Sequence, residues 1–254
     1  MPLNLLILVA AIQGLTEFLP VSSSGHLLLI PIVTDFAYQG RVIDVAAHVG
    51  TLAAVAFYLR TEIIAIALAM LRFGRNDPDH ARLGIMLVLA TIPVIIAGYI
   101  VNYANWHWLD MVYSLAIANL LFAVILWFAD KVPATRRDLG QISLPHALII
   151  GVTQICALVP GASRSGVTIS AARFLGYNRV TAARFSLLLS LPTIAGAGLL
   201  KTLDLVESGD ATLGTDAVIV AILSAGLAWL AIRWMMLWFA TSGFGIFVYY
   251  RLAL

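Results

Sequence analysis

The chain has 254 residues, 61% of them hydrophobic and only 11% charged, with a formal net charge of +2 at pH 7. Soluble domains carry about 25% charged residues, so this composition and a mean hydropathy of +0.97 exclude a water-soluble globular domain. They predict an all-α polytopic membrane protein. The single Cys156 excludes an internal disulfide and a cysteine-based metal site, and no basic run with interleaved aromatic residues suggests nucleic acid binding.

The first predicted element is a broken apolar segment, Leu3–Ile32. Pro20, the serines at 22–24 and Gly25 interrupt it, and proline and glycine both disfavour a continuous helix. Each half is shorter than the roughly 20 residues that cross a bilayer as a helix. Non-helical backbone at that depth is tolerated only where protein buries it or where it lines a cavity. We therefore expect a re-entrant helix hairpin that enters and leaves by the same face.

Three unbroken apolar segments follow and are predicted as membrane-spanning helices: Val42–Leu59, Leu83–Val101 and Met111–Ala129. A second broken segment, Ala147–Phe174, is interrupted by Pro160, Gly161 and Gly166 and predicts a second re-entrant hairpin. Three further candidate spans come after it: Val180–Leu200, Ala217–Ile232 and Met235–Leu254. The chain is thus expected to contain six transmembrane helices and two re-entrant hairpins.

The two broken segments resemble each other. Gln13 precedes Gly25 by the same spacing that separates Gln154 from Gly166, with a proline and a serine-rich turn between. Because three spans follow each hairpin, the second half begins on the opposite face, which predicts an inverted-topology repeat. The predicted repeats are 1–129 and 147–254, joined by a cytoplasmic linker, 130–146. The alternative is a chance likeness, since breaks in apolar helices favour few residue types.

The distribution of basic residues supports this arrangement. With the N-terminus outside, the outer face receives only Arg41, Lys201 and Arg251. The remaining basic residues, apart from Arg164 in the second hairpin, fall on the cytoplasmic face: Arg60, Arg72, Arg75, Arg82, Lys131, Arg136, Arg137, Arg173, Arg179, Arg184 and Arg233. Aromatic residues near segment ends suit the two membrane interfaces: Trp106, Trp108, Trp234, Trp238, Tyr249 and Tyr250.

Polar side chains inside apolar segments are functional candidates, because a charge at the bilayer centre costs about 2.5–3.5 kcal/mol on insertion scales. The second hairpin offers Arg164 with Ser163, Ser165 and Gly166, a set typical of an anion site. Arginine provides forked donors for phosphate, and small residues let backbone amides and a helix N-terminus approach it. Alternatively, Arg164 only pairs with Glu17 and holds the two hairpins together.

The first hairpin offers Glu17 and His26 on either side of Ser22, Ser23 and Ser24. Ser22 and Ser24 are predicted to bind phosphate together with the residues of the second hairpin. A carboxylate can hold Mg²⁺ or Ca²⁺ together with phosphate oxygens. Histidine can be a general base for a serine nucleophile or a general acid for the leaving group. His26 as a packing residue is the alternative. Asp44 and His48 share one face of the first span, so both are candidates to surround the site. Alternatively, Asp44 simply lies at the membrane interface.

Four segments together resemble the bacterial undecaprenyl pyrophosphate phosphatases of the bacitracin-resistance type: EFLPVSSSGH at 17–26, PGASRSG at 160–166, DVAAHVGT at 44–51 and ARFSLLL at 183–189. The resemblance covers nearly the whole chain. It implies removal of the terminal phosphate from undecaprenyl pyrophosphate, which recycles the lipid carrier of cell-wall synthesis, with a divalent cation. It also implies a bacterial inner-membrane location, a homodimer and a site reached from the periplasmic face.

By motif position, the family's functional carboxylate, serine, histidine and arginine fall on Glu17, Ser23, His26 and Arg164. One departure matters: Gln13 occupies a position that is a carboxylate in many members. Glutamine cannot exchange a proton, so we assign metal binding to Glu17 alone and predict that Gln13 orients it. Attack by water instead of Ser23 stays open. The rival function is a transporter of polyprenyl phosphate lipids, because inverted repeats with broken helices also build transporters.

Overall fold

The computed structural model describes residues 1–104, 112–135, 138–207 and 214–254, and these residues form α-helices, short 3₁₀ turns and loops without a β-strand. The all-α prediction is therefore confirmed for the described part of the chain. In chain order the helices are α1 Leu3–Thr16, α2 Ser23–Val33, α3 Arg41–Tyr58, α4 Arg60–Leu71, α5 Pro78–Ala104, α6 Val112–Lys131, α7 Leu144–Thr153, α8 Arg164–Phe174, α9 Arg179–Glu207, α10 Thr215–Thr241 and α11 Gly245–Ala253.

Five of these helices, α3, α5, α6, α9 and α10, are long and apolar enough to cross a membrane. Each coincides with a predicted span, because about 20 consecutive apolar residues are a direct signature of a lipid-exposed helix. Their outward faces are rich in large exposed hydrophobic side chains, such as Ile96, Leu121 and Ile222. A surface of this kind is stable in hydrocarbon, so the chain is a multi-pass membrane protein.

The sixth predicted span, Met235–Leu254, is not a single helix. Met235 to Thr241 form the last turns of α10, and residues 242–244 separate them from α11. Trp238 and Phe244 pack in the core at this break, where the Trp238 indole donates to the Gly243 carbonyl. The nine residues of α11 extend about 14 Å at 1.5 Å per residue, which is too short to cross a bilayer.

Helix α4 also differs from the prediction, which placed Arg60–Arg82 in a cytoplasmic connection. It begins directly after α3 and has 12 residues, about 18 Å at helical rise. Its apolar sequence is too short to have been recognised as a span. Several residues used in the predictions lie outside the described residues, namely Trp106, Trp108, Arg136, Arg137 and the segment 208–213.

Two pairs of short helices contain the sequence breaks. The first hairpin consists of α1 and α2, and the second of α7, a 3₁₀ turn at Gln154–Leu158 and α8. Within each pair the two arms pack against each other. Ser22 caps α2 and Ser163 caps α8 in the same way, each with a positive φ (71° and 68°) and each accepting a hydrogen bond from the amide three residues on. The two breaks therefore have the same local backbone form.

Helix α10 packs closely against both α1 and α3, and α5 packs against α7 and α9. The contact of α3 with α10 depends on Gly50. A Cβ added at Gly50 would overlap the carbonyl group of Ala221, so a larger residue would push the two helices apart. Small residues allow this close approach of backbones in membrane proteins. The long helices thus pack against both hairpins and bring their turns together.

Candidate active site

The two hairpin turns meet at a cavity of about 200 Å³. Both α2 and α8 begin at this cavity, so each presents the unpaired amides and the positive end of its helix dipole there. Residues from α3, α9 and the 3₁₀ turn complete the wall. The lining residues are Glu17, Ser22, Ser23, Ser24, Val45, His48, Ala157, Ser163, Arg164, Thr193, Ile194, Ala197 and Gly198.

Glu17 lies immediately after α1 and is the centre of the polar network. Its Oε1 accepts a hydrogen bond from Arg164 Nη2 at 3.1 Å, and its Oε2 accepts from Ser23 Oγ at 2.6 Å and from Gln13 Nε2 at 2.9 Å. The Glu17 and Arg164 side chains are 9% and 12% exposed. Glu17 thus contacts both Ser23 of its own hairpin and Arg164 of the other hairpin.

Arg164 is held in place from two sides. One nitrogen, Nη2, donates to Glu17, and Nη1 donates to the Ser186 carbonyl of α9 at 3.3 Å. The Phe18 ring lies 5.6 Å from the guanidinium carbon. Because a guanidinium has five N–H groups, these contacts leave donors for an anion in the cavity. The Arg164 guanidinium is therefore held in position and still has N–H groups that can bind an anion.

Four of the predicted phosphate-binding residues, Ser22, Ser24, Ser163 and Arg164, line the cavity. Ser165 and Gly166 are placed differently. The Ser165 hydroxyl donates to the Leu19 carbonyl of the first hairpin at 2.8 Å, and the Gly166 amide donates to the Ser163 hydroxyl at 3.2 Å. In this arrangement Ser165 joins the two hairpins and Gly166 completes the cap of α8, because both groups are buried behind the cavity wall.

His26 contacts other groups than Ser23. Its Nδ1 is 2.6 Å from the Ser22 carbonyl oxygen, and its Nε2 is 2.6 Å from the Tyr250 hydroxyl. The Tyr250 ring lies parallel to the imidazole, with ring centroids 5.6 Å apart. Both nitrogens of His26 are thus occupied, and the Ser23 hydroxyl donates to Glu17 instead. Tyr250, which its position predicted as an interfacial aromatic, is a residue of this network.

His48 lines the cavity itself, whereas the sequence placed it around the site. Its Nδ1 is 2.8 Å from the Asp44 carbonyl oxygen. The Asp44 carboxylate turns toward the preceding loop, where it accepts hydrogen bonds from Tyr38 at 2.5 Å and Gln39 at 2.7 Å. Partial burial, and then the Asp44 carboxylate, raise the pKa of the Tyr38 phenol above its ordinary value. Asp44 is therefore a structural acceptor in this network.

Within the described part of the chain, no group of three His, Cys, Asp or Glu side chains lies close enough to hold a metal ion. Near Glu17, the Oε1 atom of Gln13 is buried and has no hydrogen-bond partner. The amide nitrogen of Gln13 faces Glu17, as expected of a residue that orients the carboxylate. Glu17 is thus the carboxylate that lines the cavity, and Gln13 lies behind it.

Known proteins match this chain over nearly its whole length. A family model described as bacitracin resistance protein BacA matches residues 6–254. A protein of Dinoroseobacter shibae named undecaprenyl-diphosphatase is 45% identical over 254 residues, which cover 98% of this chain and 94% of that protein. Proteins with the same name are 44% identical in Ruegeria pomeroyi, over 98% of this chain and 94% of that protein, and 43% identical in Maricaulis maris, over 100% and 97%.

Proposed function

The chain belongs to the family of the bacitracin resistance protein BacA, and from this membership we propose that it hydrolyses undecaprenyl pyrophosphate to undecaprenyl phosphate and inorganic phosphate. One observation carries the proposal at the level of chemistry. Three groups meet at a small cavity inside the helix bundle: the carboxylate of Glu17, the hydroxyl of Ser23 and the guanidinium of Arg164. The family resemblance of the sequence predicts the same three residues.

Binding of the pyrophosphate follows from the charges at the cavity. Arg164 provides forked donors, and the N-termini of α2 and α8 add backbone amides and dipoles of the same sign. These groups stabilise the negative charge on the phosphoryl oxygens, and in phosphoryl transfer such stabilisation and positioning account for most of catalysis. The wall also has an apolar part, formed by Val45, Ile194 and Ala197, against which the first units of a polyprenyl tail can pack.

The proposed nucleophile is Ser23. Its oxygen attacks the terminal phosphorus while its proton passes to Glu17 Oε2, to which it already donates a hydrogen bond. The bond from phosphorus to the bridging oxygen breaks, and undecaprenyl phosphate leaves. Water then hydrolyses the phosphoserine, which releases inorganic phosphate and restores Ser23. The geometry favours Glu17 as the proton acceptor. A role of His26 in proton transfer stays a prediction, and it requires movement of the imidazole away from Ser22 or Tyr250.

A divalent cation is the predicted cofactor, and the residues present fit it in part. Mg²⁺ is commonly bound by one or two carboxylates together with substrate phosphates. Glu17 supplies one carboxylate, and it lines the cavity, whereas Gln13 does not. A bound cation would neutralise charge on the phosphate oxygens. Glu17 would hold it, and the phosphate oxygens of the substrate would have to complete its coordination.

We also propose the finer architecture. The short arms of the two hairpins are re-entrant, and 1–129 and 147–254 form an inverted repeat joined by 130–146. The helix contacts support this, because α10 packs on α1 and α3 as α5 packs on α7 and α9. The two serine caps have matching backbone angles. In this arrangement α11 takes the place of the sixth span. The distribution of basic residues supports the predicted orientation of the loops. The inner-membrane location, the access from the periplasm and the homodimer stay predictions from the family resemblance.

A transporter of polyprenyl phosphates is the second candidate, since the same kind of hairpin pair can bind an anion at mid-membrane. The hydrogen bond from Ser23 to Glu17 favours the enzyme, because anion transport requires no activated hydroxyl. The experiment is phosphate release from undecaprenyl pyrophosphate by detergent-purified protein, with and without chelator. No gradient exists in detergent, so only an enzyme gives continuous release.

The same assay tests the residues. Ser23→Ala and Arg164→Ala should abolish release, whereas Ser242→Ala and Arg60→Ala, which change a loop serine and an exposed arginine away from the cavity, should not. Normal turnover by Ser23→Ala would exclude the serine nucleophile and favour water. Absence of release from the wild-type protein under all conditions would contradict the proposed function.

A further inference from the structure

Arg251 is the largest fully buried side chain among the described residues, with 0% of its surface exposed. It lies on α11, and the distribution of charges had assigned it to the outer membrane face. The guanidinium is buried inside the bundle and contacts both hairpins. The sequence contains one indication of this role, because Arg251 is a single charged residue within the apolar segment 245–254, and a charged residue in a membrane segment is a functional candidate.

Four hydrogen bonds surround the guanidinium. Nε donates to Asn119 Oδ1 at 2.9 Å, Nη1 donates to the Pro20 carbonyl at 3.4 Å, and Nη2 donates to the carbonyls of Gly161 and Ala162 at 2.8 and 3.2 Å. The Asn119 amide in turn donates to the Arg251 carbonyl at 2.7 Å. All of these acceptors are neutral oxygens. Burial of a cation is costly when no carboxylate compensates it, so the arrangement is not explained by ion pairing.

The acceptors lie at equivalent places in the two hairpins. Pro20 precedes the cap residue Ser22, and Gly161 and Ala162 precede the cap residue Ser163. At both caps the backbone has a positive φ, which costs about 1–3 kcal/mol for a residue other than glycine and persists only where the surroundings impose it. The Arg251 guanidinium therefore donates hydrogen bonds to carbonyl groups of both turns, for which α2 and α8 provide no donor.

Gly161 shows how tightly this region is packed. Its φ of +92° is unfavourable for other residues, and an added Cβ would overlap the Leu115 carbonyl of α6. Asn119 lies one turn further along α6. It accepts a hydrogen bond from the Arg251 guanidinium and donates one to the backbone carbonyl of Arg251. Helices α6 and α11 together thus fix the second turn, and Arg251 extends this support to the first turn through Pro20.

We propose that Arg251 is a positioning residue for the hydrolysis: it holds the two turns at the separation that lets Glu17 and Ser23 meet Arg164. Glu17 lies three residues before Pro20, and Arg164 lies two residues after Ala162, so a change in the separation of the turns moves them directly. Arg251 does not line the cavity and acts only through these residues. The inference rests on the proposed function.

The test is Arg251→Lys in the full-length protein. Lysine keeps the charge and much of the apolar stem, but one ammonium cannot replace the planar fork that contacts both turns and Asn119. A displacement of about 1 Å remote from the reacting atoms can cost about 100-fold in rate, so we expect kcat to fall between about 10- and 100-fold. KM should change less than about threefold, because the cavity-lining groups remain. Arg233→Lys on the exposed side of α10 is the matched control and should leave both constants unchanged.

A distance measurement separates positioning from loss of folding. Spin labels on the native Cys156 of the second hairpin and on Leu15→Cys of the first hairpin, both exposed, report the separation of the hairpins by pulsed electron resonance. Arg251→Lys should broaden the distance distribution while the melting temperature stays close to that of the control. An unchanged distribution, or unchanged kcat, would overturn the proposal.

Asn119→Leu provides a second variant if Arg251→Lys does not fold. It removes both hydrogen bonds that fix Arg251 on α6 while the arginine remains, and it should give the same broadening with a smaller loss of kcat. A normal distribution and kcat in this variant would also overturn the proposal. The distance measurement does not depend on activity, so a wild-type protein without phosphate release would refute the proposed function and leave the positioning role open to its own test.

Discussion

Glu17→Gln is the most informative single substitution, because it keeps the shape of the side chain and removes only its charge and basicity. In the structure Glu17 accepts a hydrogen bond from the Ser23 hydroxyl and pairs with Arg164. Loss of a positioned general base costs about 100- to 10,000-fold in rate. We therefore expect phosphate release to fall by at least about 100-fold.

The effect of Glu17→Gln on the free energy of unfolding follows from the burial of the ion pair between Glu17 and Arg164. Removal of one partner of a buried pair costs about 3–5 kcal/mol, because the other charge is left without compensation. With the Glu17 and Arg164 side chains 9% and 12% exposed beside a polar cavity, that range is an upper bound. The double variant Glu17→Gln, Arg164→Met removes the stranded charge. It should melt at a higher temperature than Glu17→Gln alone and remain inactive.

Phosphate release from undecaprenyl pyrophosphate and thermal unfolding in the same detergent measure the two effects. Glu17→Asp is the control for charge, since it keeps the carboxylate but shortens its reach. If Glu17→Gln retained more than about a tenth of wild-type turnover, Glu17 would not be the base, because general-base loss costs more than that. The proton acceptor would then have to be sought at His48 or His26.

Two further substitutions test the surroundings of the site. Tyr250→Phe removes the hydroxyl that contacts His26 Nε2. It should lower kcat by about two- to tenfold, which is the equivalent of one hydrogen bond of about 0.5–1.5 kcal/mol. An unchanged rate and pH profile would show that His26 does not need this partner. Gly50→Val places side-chain atoms against the Ala221 backbone and should destabilise the α3–α10 contact by about 1–3 kcal/mol, seen as a lower melting temperature, whereas no change would mean that the helices can separate freely.

Hydropathy predicted the membrane-spanning helices well because lipid exposure imposes one simple requirement on about 20 consecutive residues. The prediction of one span was wrong at Met235–Leu254, which is apolar overall but contains Gly243 and Gly245, and the helix ends at Thr241. The separation at 242–244 depends on packing, including the Phe244 amide that donates to Asp130, a residue far away in sequence. A local pattern does not contain such contacts.

The site was predictable to a similar extent. The two interrupted segments could be paired from their shared spacing, and so the meeting of Glu17 with Arg164 could be expected. The partners of His26 could not, because Tyr250 lies 224 residues away and belongs to a helix that hydropathy had merged into a span. For the same reason the contacts of Arg251 with Pro20 and Gly161 appear only in the folded protein.

The small volume of the cavity has a consequence for substrate choice. At about 200 Å³ it is below the roughly 300–1,000 Å³ typical of sites for drug-sized ligands. We expect a terminal phosphate to fit between the turns and a sugar attached to the diphosphate to hinder entry. The enzyme would thereby spare glycosylated lipid intermediates that share its membrane and its lipid anchor, and hydrolysis of such a sugar-linked diphosphate by the purified protein would refute this size filter.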